Sequence, residues 1–412
     1  MKILNIIARL NVGGAARHVV WLTRALDSGE FESQLVAGTV PPEEEDMGFF
    51  AEANGVEPVY IKEMSRELSW KDAVSLVKVL GIMRRFRPDV VHTHTAKAGT
   101  VGRVAAFIYK WFTPGTLIGR PRRIKIYHTF HGHVFHSYYG EQKTRLFILI
   151  EKVLARFATD KIIVISQQQF AEINEKFGIG KPEQFAIVPL GIELDAFENG
   201  NRLRGQFREE IGVGAEVMVV GLIGRLTEIK NVSMFLEAAA MYLKEPDVPE
   251  AKFVIVGDGS MRARLEQESI DRGIASSVVF AGNRTDVAAI YPGLDVVALT
   301  SLNEGTPLSL IEAMAAERPV ISTMVGGVED LLGSMEHHDD GFQIRERGIG
   351  ADSGDFEAFV KGLIYLAKNE RLRQSLAGNG KKFVHQKYSK DRLVNDIKAL
   401  YEREAEQGPV TN

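Results

Sequence analysis

Short, unbroken apolar runs rich in valine and isoleucine alternate with amphipathic segments along almost the whole chain. In the first half the runs are Ile3–Ile7, Gln34–Ala37, Val59–Ile61, Val90–His92, Ile124–Thr129, Ile162–Ile165 and Ala186–Val188. Between them, segments such as Ala16–Leu26, Val74–Phe86 and Arg145–Phe157 carry apolar residues at three- and four-residue spacing. A strand apolar on both faces must be covered on both faces, and a parallel sheet sandwiched between helices does this repeatedly. The pattern then begins again with Val217–Ile223, Phe253–Val256, Val278–Ala281, Val296–Leu299 and Val320–Ser322, separated by helices such as Val232–Leu243 and Arg262–Asp271. With 412 residues the chain is too long for one ordinary core. The expected fold is α/β, with two Rossmann-like, doubly wound parallel-sheet domains.

The two series meet at Pro189-Leu190-Gly191-Ile192-Glu193-Leu194-Asp195, followed by the polar Glu198-Asn199-Gly200-Asn201. This places a first domain over residues 1–195 and a second over 196–389. A last helix, Leu393–Glu406, stands too far from any strand to belong to a βαβ unit. The chain has no cysteine, which excludes disulfides, thiolate catalysis and cysteine-ligated zinc. No signal peptide is visible at Met1–Ile7, and no apolar run approaches the roughly 20 residues of a spanning helix, so a cytoplasmic protein is expected. Residues 1–195 carry 25 Lys+Arg against 21 Asp+Glu, and the remainder 25 against 33. That excess is too small and too spread for a nucleic-acid protein.

Ligands of parallel sheets bind beyond the carboxyl ends of the strands, so the residues just after each run carry the chemistry. Gly13 and Gly14 follow the first run and open a helix, where backbone N–H groups can approach a phosphate or a sugar; a plain tight turn is equally compatible. The densest cluster is Glu304-Gly305-Thr306-Pro307-Leu308-Ser309-Leu310-Ile311-Glu312. Pro307 suits a first helical position and Thr306 its cap. The free N–H groups of Leu308 and Ser309 then form a seat for a diphosphate. Glu304 and Glu312 can each accept hydrogen bonds from vicinal hydroxyls, one on a donor sugar and one on a ribose; the bland alternative is a pair of helix-dipole carboxylates. Arg225 and Lys230 flank another strand end and suit a leaving group that develops negative charge. Gly257 and the Gly282-Asn283-Arg284 turn could cradle a base, although glycine at a strand end is common.

Histidines concentrate in the first half, with His128, His131, His133 and His136 inside nine residues. No nearby carboxylate completes a metal site and there is no HExxH helix, so no metal is expected. His131 falls where the chain leaves a strand and can hydrogen-bond a sugar hydroxyl or the reacting region. His337-His338-Asp339-Asp340 reads as an exposed turn.

Together these residues resemble the family 4 retaining glycosyltransferases of GT-B fold. The resemblance rests on the Glu-x7-Glu motif at Glu304 and Glu312, the Arg225-x4-Lys230 pair, Gly257-Asp258-Gly259, the Gly13-Gly14 loop and His131. It implies two domains facing across a cleft, with the last helix, within 390–412, crossing back to the first domain. It implies that Arg225 and Lys230 grip the donor diphosphate, Glu304 the sugar and Glu312 the ribose. It also implies front-face retention, with the donor phosphate helping to deprotonate the acceptor and no metal or other cofactor. His92-Thr93-His94-Thr95-Ala96-Lys97-Ala98-Gly99 is similar to a branch acting in cell-surface polysaccharide assembly. Where the family often has Pro-Asn-Gly this chain has Pro189-Leu190-Gly191, so hinge contacts made by an asparagine side chain do not carry over.

The expected function is transfer of a sugar from a nucleotide donor, by resemblance a UDP-sugar, to a saccharide or lipid-linked saccharide acceptor. A UDP-sugar 2-epimerase of similar architecture, a non-catalytic sugar-binding protein and a phosphorylase are the rival readings. The aromatic run Val104–Phe112, the basic Arg120, Arg122, Arg123 and Lys125, and Tyr138 and Tyr139 suit peripheral contact with an anionic membrane; packing of the aromatics on the sheet is the competing account.

Overall fold

The computed structural model describes residues 1–11, 14–40, 46–64, 71–131, 141–197 and 200–406. The chain forms two compact units, Met1–Gly191 with Lys390–Asn412, and Ile192–Ser389. The division falls four residues before the expected boundary at 195. Of the polar stretch that follows the junction, Gly200 and Asn201 already belong to the helix Gly200–Glu210, and Glu198 and Asn199 lie outside the described residues.

In the first unit β1 (Lys2–Ile7), β2 (Glu32–Gly38), β3 (Val59–Ile61), β4 (Val90–His94), β5 (Lys125–Thr129), β6 (Lys161–Val164) and β7 (Phe185–Ile187) form one sheet in the order β3-β2-β1-β4-β5-β6-β7. Every pairing in it is parallel. Side chains alternate across it. Leu4 and Ile6 pack with Val36, Val91 and the helices Lys71–Phe86 and Ala96–Trp111 on one face. Ile3 packs with Leu22, Val90, Tyr127 and the final helix on the other. Winding outward from β1 to β3 and returning to β4 creates a switch point between β1 and β4, with Ile7 in register with His94.

The final helix, Lys390–Glu406, buries Leu393, Ile397, Leu400 and Tyr401, a stripe at helical spacing. Each such side chain contributes about 1.5–3 kcal/mol when fully buried, enough to hold the helix on its sheet. Pro189-Leu190-Gly191 is its dock. Arg392 donates to the carbonyls of Pro189 (2.8 Å) and Leu190 (2.6 Å). A Cβ at Gly191 would stand 2.7 Å from Leu393 Cβ, so only glycine admits the helix this closely.

The second unit holds β8 (Met218–Ile223), β9 (Ala251–Val256), β10 (Val278–Gly282), β11 (Val296–Leu299), β12 (Val320–Thr323), β13 (Met335–Asp339), β14 (Phe342–Arg345) and β15 (Gly348–Ala351), in the order β10-β9-β8-β11-β12-β15-β14-β13. The switch point here lies between β8 and β11. The β13–β14 and β14–β15 pairings are antiparallel, so the expected all-parallel sheet acquires an antiparallel edge. His337 and His338, read as an exposed turn, lie on β13, and the turn follows at Asp340-Gly341. They are exposed because β13 is the sheet's last strand.

Candidate donor site and histidine cluster

The carboxyl ends of β8 and β11 come together residue by residue. After β8 the chain passes Gly224 and Arg225 and makes a 3-10 turn, Glu228–Lys230. Asn231 follows with φ 46°, the left-handed conformation that asparagine tolerates, and leads into the helix Val232–Tyr242. Thr300 pins this turn by donating to the carbonyls of Lys230 (3.1 Å) and Asn231 (3.0 Å). Leu302 N–H donates to Ile229 O at 2.8 Å. The result is an ion pair across the switch point, with Lys230 Nζ 2.5 Å from Glu304 Oε1. Ser301 Oγ donates to the same oxygen at 2.6 Å. Arg225, by contrast, is exposed and its guanidinium has no hydrogen-bond or ion-pair partner among the described residues.

Glycines keep the strand ends low around this pair. Gly257 follows β9 with φ 133°, and a Cβ there would lie 2.0 Å from Gly224 O. Its N–H donates to Gly282 O at 2.7 Å, which ties the ends of β9 and β10 together. Gly327 donates to Gly305 O at 2.9 Å, and a Cβ on it would meet that oxygen at 1.9 Å.

The helix after Glu304 begins one residue later than the sequence suggests. It spans Leu308–Ala315, Pro307 is its N-cap with ψ 110°, and no side chain caps it. Thr306 is therefore not the cap. Proline's fixed φ is as compatible with the cap position as with the first turn, and the first N–H groups, at Leu308 and Ser309, are left without helical partners. Glu312 lies one turn inside, and Tyr291, fully buried, donates its hydroxyl to Glu312 Oε2 at 2.8 Å. Burial, reinforced by the Glu312 charge, pushes the Tyr291 phenol well up, so it stays a donor.

Asn283 is exposed beyond β10. Arg284 is engaged elsewhere: Asp286 accepts from it at 2.8 and 2.7 Å, and Glu210 holds its other edge. The structure thus brings together Lys230, Glu304, Gly305 and the helix start, but gives Arg284 two carboxylates outside that group. Ser301, Thr300, Tyr291 and Gly327 escaped sequence reasoning. Gly326-Gly327 after β12 is the same kind of signal as Gly13-Gly14 after β1; the other three carry no local mark.

In the first unit Gly14 is the exposed first residue of the helix Gly14–Ala25, and Gly13 lies outside the described residues. The four clustered histidines do not form one group. His128 points to the opposite face of the sheet from His92 and His94, with Nδ1 2.9 Å from Thr93 Oγ1, and His133 and His136 lie outside the described residues. Instead His131 Nε2 meets His94 Nδ1 at 2.9 Å, and the ring of His18 stands 4.7 Å from that of His131. His92 stacks on His94 with ring centroids 4.1 Å apart, and its two nitrogens are held by Tyr401 Oη (2.5 Å) and Thr129 Oγ1 (2.7 Å). Burial pulls His131 down to about 4 and His92 to about 3, and His18 and His94 well below the usual range, so these rings are neutral at pH 7.

Known proteins give this geometry its context. The family model described as Glycosyltransferase Family 4 matches residues 12–196, and that described as Glycosyl transferases group 1 matches residues 204–383. A relative from Escherichia coli, UDP-Gal:alpha-D-GlcNAc-diphosphoundecaprenol alpha-1,3-galactosyltransferase, is 27% identical over 84% of each chain. The capsular polysaccharide biosynthesis glycosyltransferase CapM of Staphylococcus aureus is 25% identical over 84% of this chain and 85% of its own. The solved structure of Anabaena Alr3699/HepE in complex with UDP aligns with a TM-score of 0.76 at 20% identity, covering 98% of this chain and all of that one. Two Rossmann-like units, each matched by its own family model, make the chain a member of the family 4 glycosyltransferases of GT-B fold.

Proposed function

We propose that the chain is a retaining glycosyltransferase that moves a sugar from a UDP-sugar to a saccharide or lipid-linked saccharide in surface polysaccharide assembly. The observation that carries this reading is the Lys230–Glu304 pair beside the uncapped start of Leu308–Ala315. A bound donor would draw Lys230 and Arg225 to its diphosphate, with the N–H groups of Leu308 and Ser309 completing the anion seat. Glu304 would then take a sugar hydroxyl, and Glu312, oriented by Tyr291, the ribose. Gly257 and Asn283 lie at the neighbouring strand ends, where backbone groups suit the base. His131 is the acceptor-side group. The nucleotide choice and the class of acceptor are supported by the Escherichia coli relative's name. No metal is required in this scheme, because fixed cations and helix N–H groups meet the leaving group.

A panel of UDP-, GDP- and ADP-sugars assayed for nucleoside diphosphate release, with and without saccharide acceptors, tests this. Release is expected with a UDP-sugar, faster with acceptor, and undiminished in EDTA. Equal response to all three nucleotides, or turnover indifferent to every acceptor, would favour a 2-epimerase or a binding protein instead.

The same reading puts the enzyme at the cytoplasmic face of an anionic membrane, through the first unit. No described helix is long and apolar enough to cross one. Phe112 (73% exposed), Leu117 (91%) and Ile118 (71%) follow the helix Ala96–Trp111, beside exposed Arg120, Arg122 and Arg123. The helix Glu141–Phe157 exposes Leu146, Leu149, Val153 and Phe157 at helical spacing, flanked by Lys152 and Arg156, while Glu151 faces inward. A pocket of about 580 Å³ opens at its end, lined by Lys152, Arg156 and Lys181 together with Glu183, which pairs with Lys181. An interfacial helix has this character, each basic residue near the surface contributing about 1 kcal/mol. Vesicle sedimentation should show binding to anionic lipid that weakens with salt and with Leu149→Ser/Val153→Ser; equal binding to neutral vesicles, or none, contradicts it.

A further inference from the structure

Three histidines from separate elements of the first unit converge: His18 from the helix Gly14–Ala25, His94 from the carboxyl end of β4, and His131 just after β5. One ring nitrogen of each lies within 4.8 Å of the other two. The spot is the switch point of the sheet, where open α/β folds bind ligands. Two nitrogens there, His18 Nε2 and His94 Nε2, are buried and have no partner among the described residues. A buried polar atom without a partner is costly, and His18 Nε2 faces this convergence of rings without one, while His94 turns its other nitrogen, Nδ1, toward His131.

We propose that His18, His94 and His131 bind a divalent transition-metal ion of the zinc class, with a fourth position left open. Tetrahedral coordination at 2.0–2.1 Å sets ligand nitrogens roughly 3.3 Å apart. The His94–His131 separation of 2.9 Å is already that short, and side-chain rotation of His18 closes the rest. All-imidazole ligation selects Zn²⁺, Co²⁺, Ni²⁺ or Cu²⁺ over Mg²⁺ and Ca²⁺, which prefer oxygen. His92, clamped by Tyr401 and Thr129 and stacked on His94, holds that ring in place from behind. All three ligands belong to the first unit, and the inference does not rest on the donor scheme above.

The test titrates tag-free, metal-stripped full-length protein with Co²⁺ and follows its visible d–d absorption. The expected result is a four-coordinate spectrum saturating at one equivalent, bleached by Zn²⁺ and unaffected by Mg²⁺. His18→Gln and His94→Gln should each weaken binding at least about 10-fold, while His337→Ala/His338→Ala on the exposed strand leaves it unchanged. Wild-type protein alone gives a second measure, since Zn²⁺ should raise its melting temperature and Mg²⁺ should not. No spectrum and no Zn²⁺-dependent stabilisation overturns the proposal. So does binding that survives the His18 and His94 changes but disappears with His337 and His338.

Discussion

Lys230→Ala is expected to lower kcat by about 10²- to 10³-fold, the loss typical of a group that stabilises charge developing in the transition state, about 2.7–4 kcal/mol. The structure gives the change two consequences. It removes a cation at the end of β8, and it leaves the Glu304 carboxylate, 12% exposed, with the Ser301 hydroxyl at 2.6 Å as its remaining side-chain partner among the described residues. An unpaired carboxylate beside a diphosphate would repel the donor, so affinity should fall as well. Glu304→Gln keeps the shape but not the charge and should lower kcat more than UDP affinity, whereas Glu312→Ala should weaken UDP binding itself. The double variant Lys230→Ala/Glu304→Gln should lose less than the sum of the two single changes, because the residues act as one unit. Steady-state kinetics with isothermal UDP titration separates these effects. A wild-type kcat for Lys230→Ala would reduce the pair to a surface contact.

Arg103→Ala should destabilise the first unit by about 3–5 kcal/mol, the cost of breaking a buried ion pair. Arg103 is among the largest fully buried side chains of the described residues. Its Nη2 lies 2.7 Å from both oxygens of Glu151, and its Nε donates to Gly99 O at 2.8 Å. Removing it strands the Glu151 carboxylate, 4% exposed, between the helices Ala96–Trp111 and Glu141–Phe157. At about 2–4 °C per kcal/mol the melting of that unit should drop by roughly 6–20 °C. Arg103→Met/Glu151→Leu should recover most of the loss, since replacing both partners by apolar groups of similar volume is often neutral. A drop of the same size in the double variant would mean that packing volume, and not the stranded charge, sets the cost.

The two-sheet plan was legible in the chain because a strand covered on both faces must be apolar throughout, and the family through its resemblance in motifs such as Glu304-x7-Glu312 and Arg225-x4-Lys230. Leu4 and Ile6 serve one helical layer and Ile3 the other, so β1 reads as an unbroken run. The outermost strand, β13, was missed for the converse reason. Met335–Asp339 is an exposed outer strand, MEHHD, with no apolar alternation to betray it. The start of Leu308–Ala315 was read one residue early because proline's locked φ suits both the cap and the first turn.

Local pattern determined which residues could do chemistry, since glycines, cations and carboxylates just past strand ends are visible as a string. Only the tertiary structure decided which of them meet. Lys230 and Glu304 are 74 positions apart and touch because β11 pairs with β8, a matter of strand order that no local periodicity encodes. Arg284 stood in as good a sequence position, yet Glu210 and Asp286 claim it. His18 carries no local mark within an amphipathic helix, and only the packed first unit brings its ring beside those of His94 and His131. Sequence periodicity reports how each element must be buried, and it is silent on which neighbour does the burying. Partners across a sheet are chosen by the packing free energy of the whole unit.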